Sequence, residues 1–140
     1  MEMKIFFGEN KKVFAEYKGK IIETDQPEDE GGDNSAPSPF TLFLASIGTC
    51  VGFYIKSFCD KREISSQNIE LIQSMEYNKE TKLISKIKID VNLPSDFPEK
   101  YKTALINAAG LCTVKKHLFH PPEVEITSTI KQSLIAAEIH

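Results

Sequence analysis

Ser38-Pro39-Phe40-Thr41-Leu42-Phe43-Leu44-Ala45-Ser46-Ile47-Gly48-Thr49-Cys50-Val51-Gly52-Phe53-Tyr54-Ile55 is the stretch on which the fold of this chain turns. A Ser side chain can accept a hydrogen bond from a free backbone N–H, and Pro suits the first helical position because it has no N–H to satisfy. The reading is a helix that starts at Ser38-Pro39 and runs to about Lys61. Its face is apolar nearly all round, so other structure is expected to wrap it. The uncharged run approaches the roughly 20 residues that span a bilayer. Its polar flanks, its Ser, Thr and Gly content, and the amphipathic strands elsewhere favour a central helix of a soluble domain with no membrane partner. Ala45, Gly48, Thr49 and Gly52 recur at i, i+3, i+4 and i+7, a smooth strip expected to admit a second helix closely.

Working outward toward the N-terminus, residues 25–37 are dense in acid, Gly and Pro and lack periodicity, which predicts a long loop. Before it, residues 3–7, 13–17 and 20–24 read as a meander of short strands, with turns at Gly8-Glu9-Asn10-Lys11 and Lys18-Gly19. Toward the C-terminus, residues 68–77 and 82–93 read as a hairpin about Asn78-Lys79-Glu80-Thr81. Ile87, Ile89, Val91 and Leu93 alternate there with Lys86, Lys88, Asp90 and Asn92, so one face is core and the other wet. Pro94-Ser95-Asp96-Phe97-Pro98 introduces a helix over residues 98–109 with Tyr101, Leu105 and Ala108 or Ala109 inward. Gly110 stops or bends it, a short helix is predicted over 112–119, and Pro121-Pro122 ends that one. Residues 124–130 alternate Val124, Ile126, Ser128 and Ile130 and predict a last strand, and residues 131–140 are weakly helical.

With 140 residues, 41% of them apolar, the chain can bury one core, so residues 1–140 are read as a single α+β domain. A net charge of −3 with no basic stripe argues against nucleic acid as a partner. The opening Met1-Glu2-Met3-Lys4 has neither a basic nor an apolar leader region, which predicts a mature chain that starts at Met1 and stays in the cytoplasm. Three cysteines make an odd count without a disulfide framework, and in that compartment they are expected reduced.

Those cysteines are the residues with chemistry to offer. Cys50 and Cys59 lie nine positions apart on one helix and point to nearly opposite sides, so they cannot pair. Cys59, among charged residues at the helix end, is read as a passenger. Cys50 lies on the small-residue face, where it is either a small buried hydrophobe or a sulfur that a neighbouring element can approach. Cys112 opens a short helix, where the positive end of the dipole favours a thiolate, and Lys115, Lys116 and His117 add charge or form a solvated face. His117, His120 and His140 make no zinc spacing with the cysteines, Glu28-Asp29-Glu30 lacks the alternation of a calcium loop, and no phosphate-cradling Gly-rich motif occurs. No metal and no cofactor is therefore expected.

The order of elements resembles the OsmC/Ohr (osmotically inducible, organic hydroperoxide resistance) family along nearly the whole chain. Three stretches carry the likeness: Thr24-Asp25-Gln26-Pro27 with Gly31-Gly32; Ala36-Pro37-Ser38-Pro39 leading to Ser46-Ile47-Gly48-Thr49-Cys50; and Gly110-Leu111-Cys112-Thr113-Val114-Lys115-Lys116. The first two are most similar to a branch with a "DEP…GG" loop and a "PSP" helix start. The resemblance implies antiparallel sheets around a long Cys-bearing helix, an intertwined homodimer with sites at the subunit interface, and thiol-dependent reduction of organic hydroperoxides. It implies further that Cys50 attacks the peroxide and becomes a sulfenic acid, that Cys112 resolves it as a disulfide, and that an external dithiol reduces that disulfide.

One departure bears on that mechanism. Typical members resemble one another in an Arg in the N-terminal sheet that stabilises the thiolate, held by a Glu early in the central helix. The one Arg here is Arg62, at the far end of the helix, and Phe40 and Thr41 occupy the stretch where the Glu would fall. Losing both together is physically coherent, since either charge alone would be costly to bury. Lys18 or Lys20 is the substitute cation the meander can supply, as a point charge without the planar fork. The alternative is a non-catalytic redox-sensing or apolar-ligand-binding protein with a pocket lined by Phe40, Thr41, Phe43, Phe53 and Tyr54.

Overall fold

The computed structural model describes residues 1–131. Strands β1 (Lys4–Phe7), β2 (Val13–Tyr17) and β3 (Lys20–Thr24) form an antiparallel sheet in chain order. The β2–β3 turn is a two-residue one in which Lys18 and Gly19 both take positive φ, 50° and 74°, the geometry that matches the twist of a hairpin. Helix α1 (Pro39–Lys61) follows, then the hairpin β4 (Glu70–Asn78) and β5 (Leu83–Asn92), which stands as a separate two-stranded sheet. A 3-10 turn at Glu99–Tyr101 leads into α2 (Lys102–Ala109), and α3 (Thr113–Phe119) comes last. The α+β class with antiparallel sheets and a long helix is as the sequence predicts.

Residues 25–37 are a loop, and an ordered one. Asp25 is buried and accepts three hydrogen bonds, from Gln26 N at 2.8 Å, Ser35 N at 3.0 Å and Ser35 Oγ at 2.6 Å. With Asp25 N donating to Pro37 O at 3.2 Å, both ends of the loop are held together. The glycines fit the same clasp: Gly31 has φ 87°, and a Cβ on Gly32 would come within 1.9 Å of Gln26 O. Asn10 Nδ2 reaches Gly31 O at 2.9 Å and Lys12 pairs with Asp33 at 2.8 Å, tying the loop to the β1–β2 turn. The chain thus emerges at Ser38 in a fixed direction, and Ser38 Oγ accepts from Thr41 N at 3.2 Å to start α1.

The core forms where Val51, Ile55, Phe58 and Cys59 of α1 meet Leu105 and Ala109 of α2 and Cys112 just before α3. Leu71 of β4 and Ile89 and Val91 of β5 pack against the same cluster. Cys59, read from the sequence as a passenger, is wholly buried in this core although charged residues flank it in sequence. The reason is that α1 runs past α2 to its last turn, so its inward stripe stays covered up to Cys59.

Three further expectations change. The buried residues of α1 form one stripe, Ile47, Val51, Ile55, Phe58 and Cys59, while Phe40, Phe43 and Phe53 are exposed, so this chain alone does not wrap the helix all round. Gly48 of the small-residue strip meets a strand rather than a helix: Gln73 of β4 donates from Nε2 to Leu44 O at 2.9 Å, and its Oε1 would lie 2.5 Å from a Cβ at position 48. Residues 124–130 form no strand, and Val124, Ile126 and Ile130 are 80%, 92% and 98% exposed. Their alternation is real, but a strand needs a neighbouring edge to take its ladder of hydrogen bonds, and no strand of the described chain pairs there. The reading of residues 131–140 as weakly helical falls, beyond Lys131, outside the described residues.

Candidate functional site

Cys50 and Cys112, 62 positions apart in sequence, meet where α1 passes the start of α3. α3 is too short to hide its free backbone donors. The first turn of any helix leaves N–H groups without an intrahelical acceptor. Sulfur meets them here: Lys115 N donates to Cys112 Sγ at 3.4 Å, and the N–H groups of Thr113 and Val114 lie near enough to Cys50 to favour its thiolate. The first intrahelical bond of α3 is Lys116 N to Cys112 O at 3.1 Å. Cys112 is therefore the N-cap of α3, and its thiol is close enough to Cys50 for the two to shift each other's ionisation.

The two thiols are electrostatically unequal. Burial disfavours the Cys50 thiolate, but the N–H of Val114, the Cys112 thiol and the N–H of Thr113 outweigh it and lower the Cys50 pKa. For Cys112, burial comes first, and it outweighs the donation from Lys115 N. Proximity to Cys50 then adds to it, and the pKa is raised. The pair thus sets a half-buried sulfur with a lowered pKa beside a wholly buried one with a raised pKa. All three cysteines are free thiols, and burial, followed by the Asp60 charge, also pushes Cys59 up.

The other candidates are scattered. Lys18 is in the β2–β3 turn with its ammonium 5.2 Å from the centre of the Tyr17 ring, Lys20 begins β3, and neither is among the groups that act on Cys50. Arg62 is occupied at the other end of α1, its guanidinium 3.6 Å from the Phe58 ring centre and 5.6 Å from that of Tyr101. Phe40 and Phe43 line a groove of about 880 Å³ between α1, β5 and α3, together with Ile47, Ile87, Ile89 and Phe119. Thr41, Phe53 and Tyr54 do not line it, and neither does either sulfur. Tyr54 instead hydrogen-bonds through its hydroxyl to Thr113 Oγ1 at 3.0 Å. Among the described residues, no cluster of three or more His, Cys, Asp or Glu is placed to hold a metal ion.

Sequence reasoning found both sulfurs but missed the backbone donors of Thr113 and Val114, which leave no side-chain signature. It also missed Asp25 as the anchor of the loop; the paired signal was an acid with a Ser ten positions on.

A family model described as OsmC-like protein matches residues 32–127, a span that includes both sulfurs. Among solved structures, the chain is similar to a candidate osmotic stress induced and detoxification response protein from Psychrobacter arcticus 273-4. The TM-score is 0.67 and the identity 22%, over 81% of this chain and 85% of that one. It is similar also to a hypothetical protein from Aquifex aeolicus VF5, with a TM-score of 0.60 and 17% identity, over 86% of this chain and 87% of that one. At these identities the likeness is one of fold. No curated protein matches the chain.

Proposed function

Because the chain belongs to the OsmC-like protein family, we propose that it reduces organic hydroperoxides through Cys50 and Cys112. The Cys50 thiolate attacks the terminal oxygen of ROOH; the O–O bond breaks, the alkoxide leaves and takes a proton as ROH, and Cys50 is left as a sulfenic acid. The Cys112 thiol then displaces hydroxide from that sulfur, which leaves as water, and a Cys50–Cys112 disulfide forms. An external dithiol reduces the disulfide by exchange and is itself oxidised.

One observation carries this reading: a sulfur with a lowered pKa is neighbour to a second sulfur whose pKa is raised. Attack needs the first and resolution needs the second. Treatment of the reduced protein with one equivalent of an organic hydroperoxide is expected to yield a product lighter by two hydrogens, with Cys50 and Cys112 linked and Cys59 still alkylatable. Recovery of both Cys50 and Cys112 as free thiols would sink the proposal.

The proposal includes a cytoplasmic homodimer. Its support is the exposed Phe40, Phe43 and Phe53 flank of α1 and the unpaired alternation of residues 124–130, both of which a second copy can cover. Sedimentation is expected to give twice the chain mass of 15.8 kDa. The second reading, a redox sensor or apolar-ligand binder without turnover, is favoured by two facts. Among the described residues no guanidinium lies at the thiols, and the 880 Å³ apolar groove excludes them. Steady-state peroxide consumption driven by a dithiol separates the two.

A further inference from the structure

We infer that Tyr54 is a positioning residue of the thiol site: its hydroxyl, bonded to Thr113 Oγ1, keeps the first turn of α3 and the N–H groups of Thr113 and Val114 beside Cys50. The inference rests on the reading of Cys50 as the reacting thiol and names the device that sets its reactivity.

The argument is geometric. Tyr54 follows Cys50 by one helical turn, so the two side chains leave α1 on the same face and reach α3 together. Thr113 is the first residue of α3, and its backbone N–H and that of Val114 are the main-chain groups near Cys50 that favour its thiolate. The Tyr54–Thr113 contact, 3.0 Å long, therefore clamps the same residue whose main chain serves the sulfur. It is the one hydrogen bond from a side chain of α1 to a side chain of α3 among the described residues.

α3 has reason to need such a clamp. It spans seven residues and contributes none of the fully buried side chains; Cys112, which does, lies just outside it. An isolated helix that short is marginal in water, so its position depends on what ties it down. Lateral drift of its first turn would leave Cys50 buried without its donors, and burial alone disfavours the thiolate.

The groups that face Cys50 offer no substitute. From α1 there is Tyr54 itself, and from the cap of α3 there is Cys112. Further along α3, Lys115 Nζ lies 5.8 Å from the centre of the Phe119 ring, and His117 Nδ1 is 2.8 Å from Thr113 O. No charged group acts on Cys50 among the described residues, so a displaced donor is not replaced.

The test uses the full chain and reads the pH profile of Cys50 alkylation by iodoacetamide, resolved from Cys112 and Cys59 by peptide mass analysis. Tyr54→Phe and Thr113→Val each remove one side of the clamp. Each is expected to slow Cys50 alkylation at neutral pH by about threefold to tenfold, the size expected when one hydrogen bond is weakened, and to move the profile to higher pH. Thr113→Ser keeps an oxygen and should retain the parent profile. The double variant should be no slower than either single one, because both break the same contact. Circular dichroism and the thermal midpoint establish that each variant is folded; if Tyr54→Phe does not fold, Thr113→Val against Thr113→Ser decides. Folded Tyr54→Phe or Thr113→Val with the parent profile overturns the inference, as does a double variant whose effect is the product of the two. Loss of peroxide reactivity in the parent protein would instead sink the reductase reading, since alkylation requires no peroxide.

Discussion

Leu105→Ala asks most directly whether the α1–α2 seam holds the thiol site in place. Leu105 is 0% exposed and belongs to one cluster with Ile55, Phe58 and Cys59 of α1 and with Cys112. Two helices and the cap of a third meet there, so the walls have little freedom to collapse into the space a smaller side chain leaves. The expected cost is accordingly in the upper part of the range for Leu→Ala, about 3 to 4 kcal/mol. Ile106, the next residue, is 49% exposed and supplies the control. Ile106→Ala removes side-chain atoms already half in water and should cost about 1 kcal/mol or less. In urea at fixed protein concentration, a denaturant slope of about 2 kcal/mol per M turns the first cost into a midpoint shift of about 1.5 to 2 M. The second becomes about 0.5 M or less. Because Cys112 shares the cluster, folded Leu105→Ala should also form the Cys50–Cys112 disulfide more slowly with peroxide. Equal midpoints for the two variants would refute the account of the core. Normal disulfide formation in a strongly destabilised Leu105→Ala would refute the link from core to thiol pair.

The loop clasp predicts a pH dependence. The hydroxyl and N–H of Ser35 and the N–H of Gln26 hold Asp25 down at about 2, below an ordinary carboxylate, so its contribution is complete above the unfolded value near 3.8 and is lost as pH falls toward 2. Cleavage of the 25–37 loop by an acid protease should therefore rise steeply over that interval, and Asp25→Asn should raise it at neutral pH and flatten the profile. Among the thiols, limiting alkylation at neutral pH should modify Cys50 before Cys59, since burial and the Asp60 charge raise the latter and it is wholly buried; labelling of Cys59 before Cys50 would contradict the ordering. Arg62→Ala should cost about 1 kcal/mol through the lost stacking on Phe58 and Tyr101 and leave peroxide consumption unchanged; a loss of turnover with stability retained would place Arg62 in the chemistry after all.

Much of the fold was legible because its signals are local. Ser38-Pro39 starts α1, Lys18-Gly19 makes the β2–β3 turn, and Cys112 stands at the start of α3, all as the sequence reads. Partnership was less legible. A small residue says that something comes close, not what: Gly48 receives the Gln73 amide from a strand, where a helix was expected. Alternation at 124–130 says that a segment can be a strand, but a strand is made by its neighbour, and none of the described strands pairs with it. Asp25 was hidden in a loop whose composition suggests only solvent, because its three donors come from geometry rather than from any run of residues.

The candidate site divides the same way, and the division explains the missing charge pair. An Arg beside a buried thiol brings a charge that must itself be balanced, which is why the resemblance leads one to look for a Glu with it. Backbone N–H groups impose no such demand. They are neutral, they are already free at the start of α3, and leaving them unpaired against α1 would itself cost energy. Giving one of them to Cys112 and turning two toward Cys50 serves the helix end and favours the anion in a single arrangement. A chain with Phe40 and Thr41 in place of the Glu, and with its one Arg stacked on Phe58, therefore still lowers the pKa of one sulfur. What it needs instead of a guanidinium is accuracy in where α3 begins, a demand that falls on Tyr54 and Thr113 rather than on any charged side chain.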